Sequence, residues 1–258
     1  MKFGFLTFSC NSSRWFRVVV CMLSNLGSKS VWAAALAFVV LTSACSVHVN
    51  SSIKTGSNET VKHDLKTVNG SIKVAAGSVV EGVCKTVNGS VELGPGARAD
   101  LLKTVNGSIK IKSDATVVKD VETVNGRISA EDGSSIGGNI KTVNGGLELG
   151  NDVTVEGHVN LVNGTMKFHG AHVKGDATFR NGDVFFSGDT VLEGNLNLDG
   201  KRQRDDNNDP VEIHLTDQAV IRGSIIVEDP DRKVVLYLSD DARVDGATEY
   251  ISIETLER

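Results

Sequence analysis

Six histidines, four cysteines and a few clustered acids are the groups in this chain that could hold a metal or act as nucleophiles. His48, His63, His158, His169, His172 and His214 lack zinc-site spacing. Only His169 and His172 stand close, three apart, with no cysteine or carboxylate pattern beside them. Asp205, Asp206 and Asp209 could face Ca²⁺, but neither EF-hand nor nonapeptide spacing surrounds them. Surface roles are expected for all of these, and no metal or other cofactor. No nucleophile-elbow, phosphate-loop or dinucleotide fingerprint occurs, and the charges are scattered rather than clustered. A non-enzymatic protein is therefore expected. Lys66, Lys85 and Lys103 recur at one repeat position, which reads as a solvated face broken by Glu122. Phe185 is expected to be exposed.

The cysteines divide by context. Residues 31–42 (VWAAALAFVVLT) form an apolar run after Lys29, too short to span a bilayer and suited to the apolar region of a signal peptide. It ends in Leu41-Thr42-Ser43-Ala44-Cys45, which resembles a bacterial lipobox. That resemblance implies cleavage before Cys45 and acylation of its thiol, so that several acyl chains together anchor the protein to a membrane. Residues 1–44 are then a lipoprotein signal peptide, with Met22 as an alternative start. Ser46 follows Cys45. It stands where an aspartate resembles an inner-membrane retention signal, so the outer membrane, facing the periplasm, is expected. Cys10 and Cys21 leave with the leader. Cys84 then lacks an internal partner for a disulfide framework.

Composition narrows the partners. Net charge is −5 over 258 residues. Lys2, Arg14, Arg17 and Lys29 are the only charges before Cys45, so 45–258 alone carries −9. Both tryptophans, Trp15 and Trp32, also fall in the leader, and aromatics are 5% of the chain. An acidic, aromatic-poor body argues against nucleic acid, which needs cationic grooves or stacking platforms. It argues equally against a Trp-lined sugar cleft.

What positions the remaining residues is a repeat. Thr-Val-Asn-Gly occurs at 67–70, 86–89, 104–107, 123–126 and 142–145, with degenerate copies at 161–164 and 179–182. Asn50, Asn69, Asn88, Asn106, Asn125, Asn144, Asn163 and Asn181 thus follow one another at intervals of 18 or 19 residues. A period near twenty signals a solenoid or array. Three residues after the asparagines stand Ile72, Val91, Ile109, Ile128, Leu147, Met166 and Val184; four before stand Leu65, Cys84, Leu102, Val121, Ile140, Val159 and Ala177. Cys84 therefore reads as a small core hydrophobe. Lys73, Glu92, Lys110, Glu148 and Lys167 fall in an outward column where opposite charges attract modestly.

Asn-Gly between alternating runs is also a strong hairpin signal. An antiparallel meander, however, would need two longer strands per repeat, whereas each repeat breaks three times. Three short strands per turn give an all-β fold: a single-stranded parallel β-helix, triangular, with rungs of 18–19 residues. Its asparagines would ladder by amide hydrogen bonds and take the left-handed backbone of a tight corner. Thr116 is expected at a corner. The regular β-helix spans 45–200, a polar loop 201–210 (KRQRDDNNDP) interrupts it, and degenerate rungs fill 211–258 up to a strand-like C-terminal edge. About ten rungs at ~4.8 Å make a rod of roughly 45–50 Å.

The steps Val155-Glu156-Gly157-His158-Val159 and Val173-Lys174-Gly175-Asp176-Ala177, alternating with Asn-Gly-x-hydrophobic, resemble bactofilins. Those are polymer-forming bacterial proteins with a β-helical body of similar rung length. The Asn-Gly-Ser-Ile steps at 69–72 and 106–109 also resemble adhesin-like β-solenoid domains of bacterial envelope proteins. The resemblance covers 47–200 and, more loosely, 211–248. It implies a structural rod or scaffold in the envelope, partnered by the membrane through its anchor and by further copies of itself as a homo-oligomer or polymer. The alternative is an adhesin-like surface protein binding an envelope glycan, and a remote one is a polysaccharide-acting enzyme.

Overall fold

The structure, a computed structural model, describes residues 47–200 and 210–256. The leader, Cys45 and the insertion 201–209 lie outside the described residues. The described chain is all-β, with no helix, and coils through about ten turns of a β-solenoid.

Each regular turn contributes three short strands, as in Thr116–Val117, Val121–Asn125 and Ile128–Ala130. Every strand pairs in parallel with its counterpart one turn away, so Val121 lies beside Ile140, Ile140 beside Val159 and Val159 beside Ala177. Parallel stacking of this kind rules out the antiparallel meander. The third strands form one eleven-stranded sheet; the first and second form an eighteen-stranded one. The two columns merge because Val79–Lys85 and Arg98–Lys103 run unbroken around the corner between them, with a register shift between Val80 and Val83.

Alternation inside each strand decides what is buried. Ile72, Val91, Ile109, Ile128, Leu147, Met166, Val184 and Ile213 stack as one fully buried column of the core. Large and small side chains compensate across the turns. Phe168 and Phe186, buried and stacked at 4.7 Å between ring centroids, lie in the column that Ala130 and Leu149 also occupy. Thr116 is not at a corner. It lies in a strand, facing outward and half-buried, between Arg98 and Ser135.

The left-handed corner is also not where the asparagines stand. Of the ladder residues only Asn50 has a positive φ, 59°. The recurrent left-handed position is at another corner, occupied in successive turns by Asn58, Gly77, Gly96, Asp114, Gly133, Asp152, Gly170, Gly188 and Asp217. Each is a residue that tolerates this backbone at small cost.

The insertion does not break the stack. Leu196 lies beside Ile225 and Val184 beside Ile213, so the coil resumes in register on the far side. The last described strand, Ser252–Leu256, pairs on one side with Val234–Ser239.

Candidate functional site

The corner built from Thr-Val-Asn-Gly carries the most regular polar chemistry. The side-chain Nδ2 of Asn69 donates to Oδ1 of Asn50 at 2.7 Å. Asn88, Asn106, Asn125, Asn144, Asn163 and Asn181 repeat this, each donating to the asparagine one turn earlier at 2.8–2.9 Å. All eight predicted asparagines therefore join one ladder, with every amide pointing the same way. Such aligned chains polarise one another. The ladder is exposed along most of its length, so each link is worth only about 0.5–1.5 kcal/mol net.

The neighbouring residues explain why the motif is four residues long. Thr67, Thr86, Thr104, Thr123 and Thr142 are buried, and a buried hydroxyl needs a partner. Each Oγ1 donates to a backbone carbonyl one turn below, at Ser51, Gly70, Gly89, Gly107 and Gly126, over 2.8–3.3 Å. Later turns place Leu161, Phe179 and Leu198 in the same column. The glycine is needed for closeness of approach. A Cβ on Gly89 would sit 2.0 Å from the Gly70 oxygen, and one on Gly126 2.0 Å from that of Gly107.

A second polar ladder, at the corner before the second strand, was not foreseen. Asp64 accepts from the Val83 amide, Asp120 from Asn139, Asn139 from His158, Asp176 from Asn195 and Asn195 from Ser224, all at 2.7–2.9 Å. His158 continues it, its Nδ1 accepting from the Asp176 amide at 3.0 Å. The signal was present as Asp, Asn or His five residues before each ladder asparagine from Asp120 to Asp176. The Lys66 ammonium, 2.6 Å away, and then the Val83 N–H hold the Asp64 carboxyl below the usual carboxylate range.

The candidate reactive groups are likewise engaged in stacking. Cys84 is fully buried beside Leu65 and Leu102. Burial, with the Asp64 charge adding, pushes its thiol up to about 12. His169 meets Ser187 at 2.9 Å, and His172 meets Glu193 at 2.8 Å, whose other oxygen takes Arg222. His169 and His172 thus face different partners and do not converge. Lys66, Lys85 and Lys103 do stack, and Lys103 pairs with Glu122 in the next turn. Lys73 pairs with Glu92 at 2.8 Å, and Arg127 with Glu148 at 3.1 Å, also from turn to turn.

Phe185 is half-buried, contrary to expectation. It stacks on His214 at 4.7 Å, and His214 on Tyr237 at 4.5 Å, with ring planes within 18° of parallel. The Lys167 ammonium lies 5.8 Å from the Phe185 ring centre. His214 is covered on both faces, and Phe185 and Tyr237 each give one face to the column. No sugar can stack flat on the middle of such a column. Burial, then Glu254 and Glu212, raise the Tyr237 hydroxyl above its ordinary value.

Among the described residues no group of three or more His, Cys, Asp or Glu side chains could hold a metal ion, and no helix is long and apolar enough to cross a membrane. Cys45 and Asp205, Asp206 and Asp209 lie outside the described residues. Comparison with protein-family models, with curated proteins and with solved structures finds no match to the chain.

Proposed function

We propose that this chain is a non-enzymatic lipoprotein of the bacterial envelope, a bactofilin-like rod or scaffold anchored to the outer membrane through acyl chains on Cys45. The observation that supports the reading is how the polar side chains are used. The Asn ladder, the Asp64–Ser224 ladder and the turn-to-turn ion pairs all join one rung to the next. A protein built this way spends its chemistry on holding an elongated stack together.

Self-association is part of the proposal. The Ser252–Leu256 strand is paired on one side among the described residues, and an unpaired edge recruits further strands. Ile253, next to buried Leu236, is 53% exposed, and Tyr250 is 60% exposed. The adhesin-like reading has weaker support, because His214 has both ring faces covered and Phe185 and Tyr237 each give one face to the same column.

The test is fractionation of cells producing the full chain. Cys45→Ala is expected to leave the precursor uncut and to move the protein out of the detergent-extracted outer-membrane fraction. Identical processing and fractionation of variant and wild type would contradict the anchor.

A further inference from the structure

Asparagine followed by glycine carries a reaction of its own. The glycine backbone nitrogen, once deprotonated by hydroxide or buffer, attacks the side-chain amide carbon. A new C–N bond closes a five-membered succinimide, the Cγ–Nδ2 bond breaks, and ammonia leaves with a proton taken from water. Water then opens the ring at either carbonyl, giving aspartate or isoaspartate. The attack requires a glycine nitrogen free of hydrogen bonds and a side chain free to turn back onto it.

Seven Asn-Gly pairs lie along the ladder, and six are blocked in both respects. The N–H groups of Gly70, Gly89, Gly107, Gly126, Gly145 and Gly164 each donate to the carbonyl of the asparagine one turn later, at 2.9–3.1 Å. Their asparagines are held at both ends of the amide, by the rung below and the rung above.

The seventh pair is different because the ladder stops there. Asn181 donates to Asn163 below, and the register of the next turn brings Gly200, which has no side-chain amide, opposite it. The Gly182 N–H has no hydrogen-bond partner among the described residues. Gly182 sits at φ +123°, a glycine-favouring backbone that it shares with Gly164 at +140°, so the free N–H and not the backbone angle sets it apart. The Asn181 side chain is restrained less than the others: it keeps the link to Asn163, but its Oδ1 meets a cation at the long distance of 3.4 Å, Nη2 of Arg232, which also donates to the Arg180 carbonyl, in place of a second amide at 2.8–2.9 Å. A guanidinium at that oxygen stabilises the charge that develops on it as the nitrogen attacks.

We propose that Asn181-Gly182 is the chain's site of spontaneous succinimide formation and deamidation, with water as the only co-reactant, and that the ladder protects the other six pairs. The aspartate product leaves a carboxylate facing Arg232. The isoaspartate product lengthens the backbone by one bond and breaks the pairing of Asn181 with Asn163.

The test is peptide mapping by mass spectrometry after the full chain is incubated at mildly alkaline pH, native and in denaturant, with enzymatic detection of isoaspartate. In the native chain Asn181 is expected to convert many-fold faster than Asn69, Asn88, Asn106, Asn125, Asn144 and Asn163. In denaturant all seven should convert at comparable rates. An interior pair converting as fast as Asn181 in the native chain, or Asn181 as resistant as the rest, would overturn the proposal. Arg232→Gln should slow conversion at Asn181; an unchanged or faster rate there removes Arg232 from it.

Discussion

Cys84 shows how one residue inherits its chemistry from its column. Its neighbours above and below are Leu102 and Leu65, and the thiol is sealed from water. An unfolded thiol ionises near ~8.5, whereas this one ionises at about 12. Since the folded state keeps the proton longer, the stability it confers is full below ~8.5 and is lost as pH rises toward about 12. Thermal melts across that window should fall with pH, and Cys84→Val, the residue found at 121 and 159 in the same column, should flatten the fall. An identical slope in the variant would contradict the burial. Cys84's place in the core was legible because a column of Leu, Val and Ile leaves little choice. The threonine hydroxyls were not legible. A row of buried Thr looks like any β-branched row until the backbone carbonyl beneath each one is seen.

At the scale of the strand, direction of the side chain decides tolerance. Val121 is fully buried between Leu102 and Ile140, while Thr116 faces outward beside Arg98. Val121→Asp would bury an unpaired carboxylate at a cost of about 3 kcal/mol or more. Thr116→Asp should stay within ~0.5 kcal/mol, the range of ordinary surface changes. Denaturant titration of both variants measures this, and equal losses would contradict the inward and outward assignment. The inward columns could be read from the sequence because apolar residues recur at fixed offsets from each asparagine. The left-handed corner could not be placed, because Asn58, Gly77, Asp114 and Asp152 meet one backbone requirement with different side chains. Identity is repeated where a residue must meet one particular group in the turn below, as in the Asn ladder, the buried threonines and the close-approach glycines.

For the whole molecule, the claim on which everything else rests is parallel, in-register stacking of successive turns. The period and the three breaks per repeat made that legible. The resumption of register beyond the insertion was not, since Val184 and Ile213 are separated by twenty-nine residues and share no motif. The alternative of hairpins at each Asn-Gly makes opposite neighbours. In the solenoid Glu122 lies beside Lys141, both outward and reachable. In a hairpin turning at Asn125-Gly126, Val124 would instead face Arg127. Stacked strands are about 4.8 Å apart, within the separation a disulfide spans. The decisive measurement is oxidative cross-linking of cysteine pairs followed by mapping of the linked peptides. Glu122→Cys with Lys141→Cys should form a disulfide rapidly in the native protein, and Glu122→Cys with Asn160→Cys, two turns apart, should not. Rapid linkage of Val124→Cys with Arg127→Cys, and none between 122 and 141, would contradict the solenoid and the rod built on it.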